Sequence, residues 1–426
     1  MKRNKACFNI TGNPQIKEQM LTWLNGFSIC SFLDNHQYHS AHNSVEWLAA
    51  AGSVRNFTGP QVLNEIDQFY QEDADWLFGH IGFEFAETEE RDLTGFSPAA
   101  FFQPQTVLQL CGDQLCIETF LPSAASVFED ICSTEPFSAL SHLQVNQGSP
   151  VKMQAAISKE TYIATIQQLL RHIQRGDCYE INFCQQFFAE QAAIDPLKLY
   201  ADLTALSPNP FSCFYKEKDA YLLCASPERF LQRKSNRLIS QPIKGTIRRN
   251  TRDAVKDNQL KEDLKQSHKE QSENVMVVDL VRNDLSKVCE NGSVTVEELF
   301  GIYSFPQVHQ MISTISGAVK NETSFSEIIR ATFPMGSMTG APKKKVLELI
   351  RQYESVPRGI YSGAVGYISP EQDFDFNVVI RSILYNAATG HLSYLVGGGI
   401  TFYCNPEAEY EECLLKAAAI NAILGQ

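Results

Sequence analysis

The order of strand-like and helix-like segments constrains this chain most, because the two kinds mix without strict alternation. Apolar residues recur at helical spacing over residues 162–173, and Gly176 follows as a stop signal. A strand-like run comes next, at 179–188. Strict alternation would favour a doubly wound parallel sheet, whereas this mixture predicts an α+β fold with a largely antiparallel sheet.

The other predicted elements divide between two parts of the chain. A polar stretch at 141–148, followed by Pro150, is the predicted boundary between residues 1–150 and residues 155–424. The strands are predicted at 78–85, 220–225, 238–243, 362–368, 375–385 and 392–396, and the helices at 261–283, 322–333, 342–353 and 407–424.

The charge excludes one class of partner. The 426 residues carry 36 Lys and Arg against 49 Asp and Glu, a net charge of −13. Nearly all of the acidity lies in residues 1–150, which hold 6 basic and 18 acidic side chains. Tracking a nucleic-acid backbone needs a basic face, so we expect no nucleic-acid partner.

Neither a membrane nor an oxidising compartment is expected. No apolar run approaches the roughly 20 residues that span a bilayer. The residues after the basic start are too polar for a signal peptide. The twelve cysteines contain no Cys-x-x-Cys pair, which argues against a zinc site or a disulfide framework. These features predict a cytoplasmic protein with reduced cysteines.

Two pairs of glutamates suggest a cation site. Glu270 and Glu273 are three residues apart on one predicted helix, and Glu409 and Glu412 on another, so each pair shares a helix face. Like charges repel, and oxygen ligands without a nearby His or Cys suit Mg²⁺. The alternative is two solvated helix faces, with Glu412 and Lys416 forming an ordinary surface pair.

Lys244 lies where a strand meets a glycine turn, in the run Gln-Pro-Ile-Lys-Gly-Thr at 241–246. A free lysine has a pKa of about 10.4 and is protonated at neutral pH. A nucleophilic lysine must be neutral, so it needs desolvation or a neighbouring cation. The alternative is an exposed turn lysine.

Two segments could bind an anion through their backbone. Three glycines after a predicted strand, Gly397, Gly398 and Gly399, would leave N–H groups open to a carboxylate, although a tight turn is the alternative. Thr339 or Gly340 could cap the helix that begins at Pro342, and an open helix N-terminus is an anion site. Lys343 opposes the helix dipole there, which a bound anion would explain, although solvated lysines would tolerate it.

Arg381 follows an apolar run and needs an anionic partner. That partner could be a ligand carboxylate, with Tyr367 and His309 beside it, or an internal salt bridge to Asp375. His309 could equally be a structural histidine with both ring nitrogens satisfied.

Taken in order, these segments resemble the chorismate-utilising enzymes, a family that includes anthranilate synthase component I, aminodeoxychorismate synthase component I, isochorismate synthase and salicylate synthase. The resemblance covers roughly residues 155–424. It implies an anthranilate-synthase-like four-layer sandwich of two face-packed, largely antiparallel sheets with helices outside, which residues 1–150 would complete. The matching segments are 226–230, 242–246, 278–285, 308–309, 339–343, 362–367, 380–382, 397–400 and 409–417.

Two positions separate the members of this family. Water-adding members have a lysine shortly after a Gly-Asp motif, but here Gly176 and Asp177 are followed by Glu180, so water addition is disfavoured. Amine-adding members usually have glutamine at that point. Aminodeoxychorismate synthases resemble Pro-Ile-Lys-Gly-Thr and anthranilate synthases Pro-Ile-Ala-Gly-Thr, and this chain has the lysine, Lys244.

The resemblance therefore implies amination of chorismate at C4. Lys244 would attack C2, Glu228 would act as the general acid for the departing hydroxyl, and ammonia would then add at C4. The remaining roles fall to residues at matching positions: Mg²⁺ held by Glu273 and Glu412 with Glu270 and Glu409 in support, the substrate held by Arg381, Tyr367, Thr339 and the amides of Gly397–Gly399, and the ring lined by His309 and Thr246.

Ammonia would come from another protein. No cysteine lies in the Gly-x-Cys-x-Gly turn of a glutaminase, so a separate glutamine amidotransferase subunit is implied. A separate lyase would complete 4-aminobenzoate for folate synthesis. Two alternatives stay open: anthranilate synthase component I, with Lys244 as a tolerated variation, and a catalytically inactive chorismate-binding regulatory module.

Overall fold

The computed structural model describes residues 2–38, 45–85, 92–140 and 151–425. The chain is 34% helical and 35% strand, and each strand pairing that positions the site is antiparallel. Within these ranges no helix combines the length and apolar character needed to cross a membrane.

In the described ranges, twenty strands form one hydrogen-bonded network. They are β1 Asn4–Asn9, β2 Ile29–Asp34, β3 Trp47–Thr58, β4 Leu77–Ile81, β5 Ala99–Cys111, β6 Gln114–Thr119, β7 Gln154–Ala155, β8 Glu180–Ala189, β9 Phe211–Glu217, β10 Ala220–Ser226, β11 Arg229–Lys234, β12 Arg237–Gln241, β13 Ile243–Arg248, β14 Thr295–Ser304, β15 Val308–Ala318, β16 Gly340–Ala341, β17 Ala364–Ile368, β18 Phe374–Asn377, β19 Ser382–Asn386 and β20 His391–Thr401.

The helices of the described residues lie between these strands in the chain. They are α1 Ile16–Asn25, α2 Val62–Glu72, α3 Ala124–Ser133, α4 Phe137–Leu140, α5 Lys159–Gln174, α6 Pro196–Leu206, α7 Ala254–Gln266, α8 His268–Val288, α9 Phe325–Thr332, α10 Lys343–Tyr353 and α11 Pro406–Ile423, with a 3₁₀ turn at Gly336–Met338.

Strands of residues 1–150 pair with strands from later in the chain. Strand β2 pairs with β9, and β4 pairs with β17. The same strands supply two hydrophobic cores, because alternate residues face opposite sides of a sheet. In β3, for example, Ala50 lies in one core, whereas Ala49 and Ala51 lie in the other. The division at residue 150 stays a prediction, and the polar stretch proposed as its boundary, with Pro150, lies outside the described residues.

The predicted helix at 261–283 is wrong, because two helices meet there. Ser267 has an extended backbone conformation that ends α7, and its hydroxyl accepts a hydrogen bond from the Glu270 N–H at the start of α8. Glu270 and Glu273 therefore lie in the first two turns of a new helix. A helix N-terminus stabilises negative charge, which favours carboxylates at this position.

Three more predicted boundaries differ. Strand β20 continues through Gly397–Gly399 to Thr401, so these glycines pair with β8 instead of forming a turn. The predicted strand at 375–385 is interrupted between β18 and β19, where Arg381 adopts a left-handed φ of 52°. Pro342 precedes α10 as its cap residue and is not the first residue of the helix.

One disulfide bond also departs from the expectation of wholly reduced cysteines. Cys7 of β1 and Cys116 of β6 lie directly opposite each other and are joined, while the other ten cysteines are free. The two strands come from one antiparallel pair, so their side chains at the same register position meet on one face. Sequence spacing did not predict the pair, because 109 residues separate the two cysteines.

Candidate active site

Three charged side chains from different strands and loops lie near one another. Glu228 lies between β10 and β11, Lys244 lies near the start of β13, and Arg381 lies in the irregular segment before β19. The charges of Lys244 and Arg381 both act on Glu228, and Glu228 in turn acts on both cations. The fold therefore brings together three residues that are distant in sequence, since 153 positions separate Glu228 from Arg381.

Glu228 is suited to carry a proton at neutral pH. Its side chain is buried, and the burial raises the pKa of its carboxyl to about 7. A hydrogen bond from Ser337 and the nearby charges of Lys244 and Arg381 oppose that rise without cancelling it. A carboxylic acid with a pKa near the working pH is an effective general acid.

Arg381 has an open guanidinium. Its side chain forms no hydrogen bond or ion pair with the residues the structure describes, and burial lowers the pKa of the group. The expected internal partner, Asp375, is instead held by Arg229 through two hydrogen bonds of 2.8 and 2.9 Å. The internal salt bridge is therefore excluded for Arg381, and a carboxylate ligand is the partner that its chemistry fits.

Lys244 is buried and paired. Its Nζ donates to Oε1 of Glu180 at 2.5 Å, and the two side chains are 12% and 3% exposed. Burial alone would lower the pKa of Lys244, but the carboxylates of Glu180, Glu273 and Glu228 outweigh it and raise that pKa. The alternative of an exposed turn lysine is wrong.

The glycines of β20 make room for these charged groups. A Cβ atom on Gly399 would lie 2.7 Å from both the Glu180 Oε1 and the Lys244 Nζ. A Cβ atom on Gly398 would lie 3.1 Å from the Glu409 Oε2. The glycine run thus lets a strand backbone approach the ionic groups closely, which is a different role from the predicted anion-binding turn.

The four predicted metal-binding glutamates share one neighbourhood. Lys269, in the first turn of α8, shows this, because the charges of all four carboxylates act on it. Burial lowers the pKa of Lys269, but the carboxylates of Glu273, Glu409, Glu270 and Glu412 together raise that pKa above its usual value. On α11, Glu412 also pairs with Lys416 at 3.0 Å, and both of these side chains are nearly half exposed. The predicted surface pair thus exists alongside the cluster.

The chemistry of the cluster fits Mg²⁺. Burial raises the pKa of Glu273 to about 7, and its Oε1 is buried without a hydrogen-bond donor in the described ranges. A divalent cation would satisfy that oxygen and offset the repulsion among the carboxylates. In the described part of the chain, no three acidic, His or Cys side chains are already arranged around a metal position.

Two residues expected to line the ring have other contacts. His309 is buried, with Nε2 3.0 Å from Asp257 Oδ1 and Nδ1 3.0 Å from Ser304 Oγ. These contacts match the alternative of a structural histidine. Thr246 is exposed on β13, opposite Gln310 of β15. Their predicted roles at the substrate stay predictions.

Two residues expected to hold the substrate also have other contacts. Tyr367 packs against Trp76 and Phe78 and lines a separate cavity of about 70 Å³. The Thr339 hydroxyl donates to the Met335 carbonyl at 3.1 Å, within its own turn. Both assignments stay predictions.

The lysine at the start of α10 has an internal partner. Lys343 Nζ lies 2.5 Å from Asp284 Oδ2 of α8 and donates to the Thr332 carbonyl. An anionic ligand is therefore not needed to explain a cation at this helix N-terminus.

Three residues of the neighbourhood were not among the sequence-predicted site residues. They are Glu180, Lys269 and Ser337. Glu180 had a signal, because it departs from the glutamine that is usual in amine-adding members. Lys269 and Ser337 had none beyond lying next to predicted segments, since only the folded chain brings them to the carboxylates.

Comparison with known proteins places this site in a family. Residues 26–422 match the family described as chorismate binding enzyme. The chain belongs to that family. This confirms the resemblance drawn from the ordered motifs.

Several curated relatives of this chain are similar over about 270 residues. The probable chloroplastic aminodeoxychorismate synthase of rice is 43% identical over 62% of this chain and 29% of its own length. Aminodeoxychorismate synthase component 1 of Escherichia coli is 36% identical over 64% of this chain and 59% of that protein. Anthranilate synthase component 1 of Haloferax volcanii is 35% identical over 62% and 50%. Each match thus spans less than two thirds of the relative.

Solved structures of similar fold confirm the predicted fold class. The menaquinone-specific isochorismate synthase of Escherichia coli superposes with a TM-score of 0.80 at 19% identity, covering 99% of this chain and 94% of that one. Anthranilate synthase component I of Streptococcus pneumoniae gives 0.73 at 21% identity, covering 91% and 96%. At these identities the likeness establishes the fold alone.

Proposed function

We propose that this protein aminates chorismate at C4 with ammonia, giving 4-amino-4-deoxychorismate. The observation that carries the proposal is Lys244, a buried lysine whose charge acts on the buried acid Glu228 in a chain that belongs to the chorismate binding enzyme family. Relatives named aminodeoxychorismate synthase, from plants, enterobacteria and Streptomyces, support the same reaction.

The reaction divides between the nucleophile and the acid. The neutral amine of Lys244 forms a bond to C2, the two conjugated ring double bonds each shift one position toward C4, and the C4–O bond breaks. Glu228 gives its proton to the leaving hydroxyl, so water departs and a carboxylate remains. Ammonia then bonds to C4, both double bonds shift back, and the C2–N bond breaks to release the lysine. The new C4 ammonium returns one proton to Glu228.

Arg381 and the glutamates hold the substrate and the metal in this proposal. The guanidinium of Arg381 would bind a carboxylate of chorismate through two parallel hydrogen bonds. Glu273 and Glu412 would hold Mg²⁺, with Glu270 and Glu409 supporting them. When bound, Mg²⁺ supplies a positive charge that attracts the ring carboxylate and draws electron density from the diene.

The ammonia is proposed to come from a separate glutamine amidotransferase. The name "component 1" of the enterobacterial relatives implies a second component. We further propose that the protein works in the cytoplasm, which its ten free cysteines favour.

The deciding experiment measures the mass of the product. The protein is incubated with chorismate, ammonium and Mg²⁺, and the expected product is aminodeoxychorismate. Fluorescent anthranilate without aminodeoxychorismate would support anthranilate synthase activity instead, in line with the Haloferax relative. Binding of chorismate without turnover would indicate an inactive binding module.

Arg381→Ala should weaken substrate binding. Removing one charge-assisted grip on a carboxylate costs about 1.5–3 kcal/mol, which corresponds to a rise of roughly 10- to 100-fold in the KM for chorismate. Steady-state kinetics with ammonium as the nitrogen source measures that rise. Arg233→Ala is the matched control, because Arg233 donates to the Ser235 carbonyl at the surface, and its KM should stay near wild type. An unchanged KM in the Arg381 variant would contradict the assignment.

A further inference from the structure

Glu180 is hydrogen-bonded to Lys244, the residue that must lose a proton in the proposed reaction. Its Oε1 accepts the hydrogen bond from Lys244 Nζ at 2.5 Å, and both side chains are largely shielded from water. The proposed reaction needs a neutral Lys244 amine, whereas the surrounding carboxylates favour the ammonium. A carboxylate in contact with Nζ is placed to take that proton before the lysine attacks.

We propose that Glu180 is the general base that takes a proton from Lys244, a catalytic role that rests on the proposed function. In this step one proton moves from Nζ to Oε1. The products are a neutral amine with a lone pair and a neutral carboxylic acid, so the charges balance without another reactant. The proton returns to the lysine after ammonia has expelled it from C2.

The backbone fixes Glu180 in place for this transfer. It is the first residue of β8, and its register partners are Thr401 of β20 on one side and Ala341 of β16 on the other. Gly399 closes the arrangement, since its missing side chain leaves the space where Oε1 and Nζ meet. A base held between two strands keeps its alignment through the reaction.

The second oxygen of Glu180 also suits the role. Oε2 is buried and has no hydrogen-bond partner in the described part of the chain. An ionised carboxylate with a buried oxygen that lacks a donor is destabilised. A carboxylate that takes up a proton becomes neutral in the step, which reduces the cost of its burial. Amine-adding members usually have glutamine at this position, which could not accept the proton, so the proposed base is specific to this chain.

Glu180→Gln is the decisive variant, because the amide oxygen can still accept the hydrogen bond from Nζ but cannot act as a base. We expect kcat for aminodeoxychorismate formation from chorismate and ammonium to fall about 100-fold, with the KM for chorismate little changed. Without ammonia, the lysine–chorismate adduct, seen by protein mass as chorismate less water, should form correspondingly slowly. Glu217→Gln is the matched control, because it neutralises a buried glutamate that is hydrogen-bonded to Ser97. This variant should retain the wild-type kcat.

Three results would overturn the inference. The first is a Glu180→Gln enzyme with wild-type kcat, which would leave Glu180 a positioning role only. The second is a reduced kcat with adduct formation at the wild-type rate, which would place Glu180 after the lysine step. If the glutamine variant does not fold, Glu180→Ala with added formate decides: recovery of activity supports a base, and no recovery overturns it. Absence of aminodeoxychorismate from wild type would instead refute the proposed function.

Discussion

Replacing Lys244 with alanine is expected to abolish amination, with a fall in kcat on the order of 10⁴-fold or more. In the proposed reaction the variant loses the atom that bonds to C2, and no other described lysine pairs with Glu180. Product mass after incubation with chorismate, ammonium and Mg²⁺ measures the loss. Adduct formation in the absence of ammonia should disappear as well.

Lys244→Arg separates nucleophilicity from charge. Arginine keeps a cation beside Glu180, but its guanidinium is not deprotonated in proteins and cannot attack carbon. We expect it to be as inactive as the alanine variant. Lys216→Ala is the control, since Lys216 donates to the Asn25 carbonyl outside the site, and it should remain active. Turnover near the wild-type rate in either Lys244 variant would contradict the covalent mechanism.

Glu228→Gln is expected to lower kcat by about 10²- to 10⁴-fold, because glutamine cannot donate a proton to the departing hydroxyl. The pH profile provides a second test. In the proposed reaction Glu228 acts as the acid only while protonated, so with its pKa at about 7 the wild-type kcat should fall as the pH rises through 7. The groups that act on this carboxyl are Ser337, Lys244, Arg381 and the Ile243 N–H.

The glutamine variant should lose that alkaline fall in kcat. Glu354→Gln would be a poor control, because Glu354 is ion-paired to buried Arg358 and the change would destabilise the fold. Glu217→Gln is better, because its partner Ser97 lies outside the site. A Glu228→Gln enzyme that retains the wild-type pH profile would show that another group supplies the proton.

Local pattern predicted many elements because single strands and helices carry their own signals. The helical spacing of Tyr162, Ile166, Leu169 and Ile173 appears in α5, with all four side chains buried. Boundaries failed where a residue acts through tertiary contacts. Gly397–Gly399 look like a turn in sequence, yet pairing with β8 draws them into a strand.

The sequence by itself determined the family and the identity of the chemical groups. The ordered motifs and the lysine at 244 were sufficient to recognise the family, because short motifs can be identified in a sequence without knowing how they are arranged in space. The α+β class also followed from pattern, since the period of apolar residues reflects local backbone geometry.

Only the tertiary structure decided the partners of those groups. In the folded chain Asp375 pairs with Arg229 and not with Arg381. His309 lies beside Asp257, and Glu180 pairs with Lys244. Ionic partners depend on distances between segments far apart in the chain, and the energy of a charge depends on its burial. Neither these distances nor the burial can be inferred from a residue's neighbours in sequence. The pairing of Lys244 with Glu180, its proposed proton acceptor, is therefore evident only in the folded chain.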